Sequence, residues 1–376
     1  MMQTVLSSIR DLPDLLRELQ ISKPLYVAGE RWRGRLPEDA AVFSAFSPNP
    51  DFDQCGAGLC MFRRRACDAL VAIGGGSCMD TAKTIKALLL SSSPQAAIRN
   101  AYPGSDAYPL ILIPTTAGSG SEATQTAVVY VDGQKQSLSH PALLARAVIL
   151  DAELLATLPP SMRRSCALDA LCQGIESFWS KAATEESRSL ASGAIREILR
   201  QIRPYMDLTG FHQEAAAAML QASYQAGQAI ALTRTTAAHA MSYMITKKLG
   251  VPHGDACALT LPYLWMRLNQ DPAFEATGRA LSDLLEVGEE EAPLLFLGLC
   301  LDSGLCAPGL PDAAMLDFLT DSVNPERLNN HPQSLTRQEI CSVYETALAS
   351  PDKALSDRAL QIWRQYGTNS DARSNT

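Results

Sequence analysis

Two histidines, His239 and His253, sit in the stretch TTAAHAMSYMITKKLGVPHGDACALTLP. The first lies inside an Ala-rich, helix-forming run. The second follows a stop made by Lys247, Lys248 and Gly250, where cations suit the negative end of a helix and glycine accepts the left-handed turn beyond it. The second imidazole can therefore fold back beside the first. Upstream, Asp169 and Gln173 in CALDALCQGIESFWS stand at i and i+4, on one face of a predicted helix. Two oxygen donors and two imidazoles make a seat for one divalent metal ion. Taken singly, a histidine in an apolar helix is more often a hydrogen-bonded core residue and an Asp/Gln pair a solvated face, so the set gains weight only from the rest of the chain.

The second chemical signal is a glycine turn. ALVAIGGGSCMDTAKTIKALLL reads as a strand, a turn at Gly74, Gly75, Gly76 and Ser77, and then a helix. Glycines after a strand let backbone approach a diphosphate, and the free N–H groups of the new helix favour the anion. A phosphate-bearing cofactor fits, with Asp80 shaping the loop. The plainer reading is a tight turn in which Ser77 and Asp80 form a capping box. The pattern is neither GxGxxG nor a P-loop, since Lys83 lacks the GK[ST] context. PLILIPTTAGSGSEATQTAVVYVDGQKQSL repeats the logic. Its strand ends at Pro114, and Thr115, Thr116, Ser119 and Ser121 offer hydroxyls for ribose, diphosphate or amide groups. A hairpin turning at Asp132 and Gly133 follows, with Lys135 predicted near the cofactor.

Positioning these groups takes two kinds of scaffold. PLYVAGE, AAVFSAF, ALVAIG and PLILIP are short apolar runs bounded by turn residues, alternating with helical stretches. That alternation predicts a doubly wound, mostly parallel α/β sheet. After Asp151 the pattern turns helical, over Arg164–Lys181, Ser187–Ile202, Gln213–Ala231 and Thr235–Leu249. The expected organisation is a dinucleotide-binding α/β domain over 1–160 and an all-helical metal-binding and substrate domain over 161–376, with a cleft between them.

The 376 residues suffice for two cores, and 47% hydrophobic with 19% charged residues is a globular composition. A net charge of -8 argues against nucleic-acid binding, because no excess of cations offsets phosphate repulsion. Ten cysteines without a CxxC pair, and no basic and apolar leader, point to a reduced cytoplasm. No run is long enough to span a membrane.

GGGSCMDTAK, PTTAGSGSE, the DAELL segment, DALCQGIESFWS and the His239 to His253 block, in this order, resemble the iron-containing (group III) alcohol dehydrogenases. The resemblance covers about Pro24 to Pro332 and implies a dehydroquinate synthase-like architecture. It implies reversible hydride transfer between NADH or NADPH and an aldehyde, and one divalent metal, iron(II) or zinc. FSAFSPNPD, ALTRTTAAHAMSY and VNPERLNNHPQSL look most like the phosphonoacetaldehyde reductase branch, whose product is 2-hydroxyethylphosphonate.

The family's ligands are Asp, His, His, His. Three map onto Asp169, His239 and His253; the other falls on Gln173, whose neutral amide oxygen is a weaker donor. Tyr243 stands where many relatives carry a further histidine; either it or solvent would supply the proton to the alkoxide, or the ring simply packs, since a phenol with a pKa of about 10 suits a relay at neutral pH only beside a perturbing partner. His253 and Tyr243 are thus the catalytic candidates. Ser44 occupies the position where relatives often hold an acidic residue against the adenosine ribose. Its missing carboxylate predicts that NADPH is accepted. Arg234 is the first candidate for a phosphonate partner, ahead of Lys247, Arg188 and Lys181. Family habit makes a homodimer the expected assembly. The competing readings are a general alcohol or 1,3-propanediol dehydrogenase, a dehydroquinate synthase-like lyase, and a metal-poor binding homologue.

Overall fold

Runs of branched and small apolar side chains form the buried strands of the first of two compact units, Met1–Leu158 with Phe211–Ala231; the second is Pro159–Gly210 with Leu232–Thr376. The computed structural model describes residues 3–104, 107–207 and 209–373.

The first unit holds β1 (Thr4–Leu6), β2 (Pro24–Ala28), β3 (Ala41–Phe43), β4 (Ala69–Gly74), β5 (Leu110–Pro114), β6 (Thr126–Val131), β7 (Gln134–Ser139) and β8 (Ala147–Ile149). Six of them form one sheet in the order β1-β8-β5-β4-β2-β3, every neighbouring pair parallel. β4 and β5 are buried at every residue, as expected of central strands covered on both faces. Ala69, Val71 and Ile73 join Ile111, Ile113 and Tyr26 in a core closed by Leu12 and Leu15 of α1 (Leu12–Glu18). The alternate residues Leu70 and Ala72 point the other way. The remaining helices are α2 (Phe52–Arg64), α3 (Gly76–Leu90) and α4 (Pro94–Ile98), with α3 packed on β4 and α2. β6 and β7 pair separately as an antiparallel hairpin. Its turn residues Asp132 and Gly133 have φ of 49° and 74°, the left-handed pair a tight two-residue hairpin requires.

The second unit is helical: α5 (Pro160–Trp179) and α6 (Glu185–Met206), then, after α7 (Gln213–Thr233), α8 (Ala237–Leu249), α9 (His253–Leu268), α10 (Glu275–Leu285), α11 (Ala292–Asp302), α12 (Ala313–Asp321), α13 (Pro325–Leu328), α14 (Arg337–Leu348) and α15 (Lys353–Arg373). α7 departs from the expected organisation. The sequence reading put it in the helical half, yet Phe211–Ala231 clusters with the sheet unit. The reason is local: a Cβ on Gly227 would stand 2.5 Å from the Gly120 carbonyl oxygen, so only a glycine lets α7 come that close to the loop after β5.

α5 is the axis of the second unit. It is buried from Ala167 to Trp179, and it packs on α6 and α9. α9 begins where α8 has ended at Gly250, whose φ of 71° makes the left-handed cap predicted from sequence. Gly254 then decides how near α9 comes. A Cβ there would lie 1.8 Å from the Ser165 carbonyl oxygen and 2.8 Å from Asp169 Cβ. The Arg164 guanidinium, 2.7 Å from the buried Asp255 carboxylate, ties the same two helices together.

Candidate functional site

Asp169 on α5, His239 on α8, and His253 and Cys257 on α9 bring their donor atoms within 4.8 Å of one another. Spacing explains the set: Asp169, Gln173 and Glu176 share one face of α5, and His253 and Cys257 are one turn apart on α9. His239 Nε2 lies 3.2 Å from Asp169 Oδ1, and Cys257 Sγ lies 4.0 Å from His253 Nε2. The two imidazole rings meet edge to face with centroids 5.4 Å apart. The Gln173 side chain, expected as the fourth ligand, hydrogen-bonds the Asp169 carboxylate.

Glu176, which the sequence reading passed over, fixes the first imidazole. Its Oε1 accepts hydrogen bonds from Thr236 N at 3.1 Å, Thr236 Oγ1 at 2.7 Å and Ala238 N at 2.9 Å, and so closes the N-terminus of α8 from a neighbouring helix. Its Oε2 accepts from His239 Nδ1. An ionised carboxylate only accepts, so the His239 proton sits on Nδ1 and the Nε2 lone pair faces Asp169. Ser242 does the same for the second ring. Its hydroxyl hydrogen goes to the His239 carbonyl at 2.9 Å, so its oxygen, 3.3 Å from His253 Nδ1, is left to accept. His253 therefore also offers Nε2. Two imidazoles held by outer partners with Nε2 turned to a common point are what a metal ion requires.

The electrostatics agree. Without a metal His239 takes a second proton, on Nε2: burial alone would raise Asp169 and Glu176, yet the hydrogen bond that proton makes to Asp169 and the His239 charge beside Glu176 hold both below the usual carboxylate range. Burial would lower His239 and His253, yet Cys257 and the surrounding carboxylates raise both. The pocket thus draws in positive charge, which a divalent ion at the Nε2 atoms would supply in place of those protons. The donor set fits the metal the sequence implies.

Tyr243 stacks on His253, with centroids 6.0 Å apart and planes 14° from parallel. Arg234 has φ of 61° and ion-pairs with Glu326. That contact arises because Asn330 donates to the carbonyls of Thr233 at 2.7 Å and Thr235 at 3.1 Å, holding the 324–331 segment over the lead into α8. The weaker cation candidates are engaged elsewhere: Arg188 lies over the Phe178 ring and donates to its carbonyl, and Lys181 donates to the Asn329 carbonyl.

In the first unit the glycine turn forms at the C-terminal end of β4. Gly75, and not Ser77, is the N-cap of α3, and no side chain caps that end. The capping-box reading of Ser77 and Asp80 therefore fails; Ser77 Oγ accepts from Asn49 N at 3.2 Å instead. An uncapped 15-residue helix after a parallel strand is a fitting seat for a diphosphate. Gly74 has to be a glycine because a Cβ would meet Cys78 Cβ at 2.6 Å. Thr116 and Ser119 line the same turn, near the places where Cβ atoms of Gly75 and Gly76 would be, and Thr115 N donates to the Gly74 carbonyl at 3.0 Å.

Asp80 turns to the next loop, accepting from Ser121 Oγ at 2.9 Å, with Lys83 and Lys135 among the charges around it. The buried Lys83 ammonium donates to the Ser121 and Thr126 carbonyls, and burial pulls it down to about 8. Asp80 and Lys83 thus lock the PTTAGSGSE loop against α3. Ser44 differs from expectation in its surroundings. It hydrogen-bonds the Glu30 carboxylate, which also pairs with Arg33, so the negative charge absent at position 44 is supplied from the end of β2.

The family model described as iron-containing alcohol dehydrogenase matches residues 6–152, and that of the C-terminal part of the Fe-containing alcohol dehydrogenase family matches 165–294. Phosphonoacetaldehyde reductase of Streptomyces viridochromogenes is 32% identical over 343 residues, 83% of this chain and 85% of the relative. Long-chain-alcohol dehydrogenase 1 of Geobacillus thermodenitrificans is 30% identical over 325 residues, 82% of each chain. The crystal structure of sulfoacetaldehyde reductase from Bifidobacterium kashiwanohense in complex with NAD+ superposes with a TM-score of 0.82 at 28% identity, covering 93% of this chain and 97% of that one. Among the described residues no helix is long and apolar enough to cross a membrane.

Proposed function

Because the chain belongs to the iron-containing alcohol dehydrogenase family, and is an oxidoreductase of alcohols and aldehydes, we propose that it reduces phosphonoacetaldehyde to 2-hydroxyethylphosphonate. The observation that carries the phosphonate is the cation pair beside α8. Arg234 ion-pairs with Glu326, and Arg327 is the next residue of α13, so two cations flank one carboxylate there; burial, and then the charge of Arg327, depress the Arg234 guanidinium. A dianionic phosphonate answers that pair better than one carboxylate does. Two of the similar proteins are named for short aldehydes with an anionic tail, phosphonoacetaldehyde and sulfoacetaldehyde, which supports the same class.

When bound, the metal supplies Lewis-acid polarisation of a carbonyl and the reduced nicotinamide supplies hydride. Asp169, His239 and His253 would hold the ion, with Glu176 and Ser242 keeping both imidazoles in the Nε2-donor form. Gly74 to Ser77, Thr116 and Ser119 would hold the diphosphate. We place Tyr243 on the route of the proton: the ring is stacked on His253, and its Oη is the donor for the new alcohol. Glu30 and Arg33 give a 2′-phosphate both a carboxylate and a cation to meet, so the reading is acceptance of NADH and NADPH alike.

The test is NAD(P)H oxidation with phosphonoacetaldehyde beside propionaldehyde, with zinc or iron(II) present. The proposal expects a kcat/KM for the phosphonate at least tenfold higher, and Arg234→Ala should remove that advantage while sparing propionaldehyde. Equal rates on both aldehydes, or equal loss on both in Arg234→Ala, would refute the substrate assignment.

A further inference from the structure

The expected fourth ligand, Gln173, leaves the ion with one carboxylate and a neutral amide. The structure puts a better donor in the same set. Cys257 is one turn beyond His253 on α9, fully buried, and its Sγ joins the Asp169 oxygen and the two imidazole nitrogens within 4.8 Å. Four donors about one tetrahedral zinc, with bonds of about 2.0–2.3 Å, stand roughly 3.3–3.7 Å apart. The distances of 3.2 Å between His239 and Asp169 and 4.0 Å between His253 and Cys257 bracket that range. Position on the helix makes this possible, because Gly254 brings the first turn of α9 against α5 and presses Cys257 and His253 towards Asp169 together. Gln173 meanwhile gives an amide N–H to the Asp169 carboxylate, the task of an orienting partner.

We propose that Cys257 is the fourth protein ligand of the metal centre, as a thiolate, and that Gln173 is a positioning residue for Asp169. Two anionic donors balance a divalent ion, and the soft sulfur turns the preference from iron(II) to zinc. Among the cysteines near α5, Cys172 and Cys300 are buried but outside the donor set. The inference rests on the reading of this cluster as a metal centre.

Cobalt(II) loading tests both and separates them. The wild-type protein loaded with one equivalent of cobalt should show a near-ultraviolet sulfur-to-cobalt charge-transfer band. Cys257→Ser should lose it, whereas Cys172→Ser and Gln173→Ala should keep it. Zinc affinity, read by competition with a chromophoric chelator, should fall on the order of 100-fold or more in Cys257→Ser and about tenfold in Gln173→Ala. Cobalt bound without the band, or a band that survives in Cys257→Ser, overturns the thiolate and leaves the metal centre standing. No cobalt uptake by the wild type overturns both. The wild-type spectrum decides even if a variant folds poorly, and melting of the metal-free proteins checks that the variants are folded.

Discussion

Replacing Gly254 by alanine strikes the contact on which the proposed metal centre depends. The added Cβ meets main chain, the Ser165 carbonyl oxygen at 1.8 Å, and not the flexible end of a side chain. To restore an ordinary contact of 3.4 Å, α9 and α5 have to part by about 1.6 Å. Overpacking of this kind costs about 1–3 kcal/mol, and a backbone clash belongs at the upper end. A loss of about 3 kcal/mol lowers Tm by roughly 6–12 °C in a domain of this size. The same displacement carries His253 away from Asp169, and a misplacement of about 1 Å already costs on the order of 100-fold in rate. Gly174→Ala on α5, the helix that Gly254 packs against, is the control, because its Cβ meets the Ile195 side chain at 3.0 Å, which can give way. Calorimetry and zinc competition on the two variants should show Gly254→Ala destabilised and poor in metal, and Gly174→Ala close to wild type. Wild-type Tm and zinc affinity in Gly254→Ala would refute the argument that this glycine sets the site.

Glu176→Gln replaces the carboxylate that accepts the His239 Nδ1 proton with a neutral amide, and zinc affinity should fall roughly 10–100-fold in equilibrium dialysis with the fold retained. Glu30→Gln should raise the ratio of NADPH to NADH kcat/KM, because the charge it removes opposes a 2′-phosphate; an unchanged ratio in steady-state assays would place the ribose elsewhere. His331 is buried and depressed by that burial to about 4, against an ordinary 6.5. The unfolded chain therefore takes up the proton first as pH falls. The contribution is complete above pH 6.5 and is lost as pH drops towards 4, at most about 3 kcal/mol. Denaturant melts of metal-free wild type and His331→Asn at pH 7 and 4.5 should show the larger pH loss in the wild type. Tyr243→Phe should lower kcat on aldehydes with little change in zinc affinity, and an unchanged kcat would leave Tyr243 as packing alone.

The cluster of donor side chains was partly legible because helical spacing is written into the chain. Asp169 and Gln173 at i and i+4, and a glycine stop between two histidines, put donors on facing helices without any knowledge of the fold. Glu176 escaped notice although it lies on the same face as Asp169, since a glutamate in a helix is ordinarily solvated and only the arrival of α8 buries it. Cys257 escaped because a cysteine in an apolar helix is usually a small core residue. The Gly74 to Ser77 turn was plain, but three successive glycines blur where the helix begins, and the cap fell on Gly75. β1 and β8 are three residues each, too short for a periodic signal, and they pair over a long separation in the chain. Contacts of that range, like Gly227 with Gly120, and even the shorter one of Ser44 with Glu30, are set by tertiary packing and leave no trace in local pattern.

Anomalous diffraction at the zinc edge from crystals of the zinc-loaded protein puts the central claim to its most direct test. The account predicts one strong peak per chain, bonded to an Asp169 oxygen and to Nε2 of both His239 and His253. No peak at that cluster, or zinc held only by other residues, would contradict it.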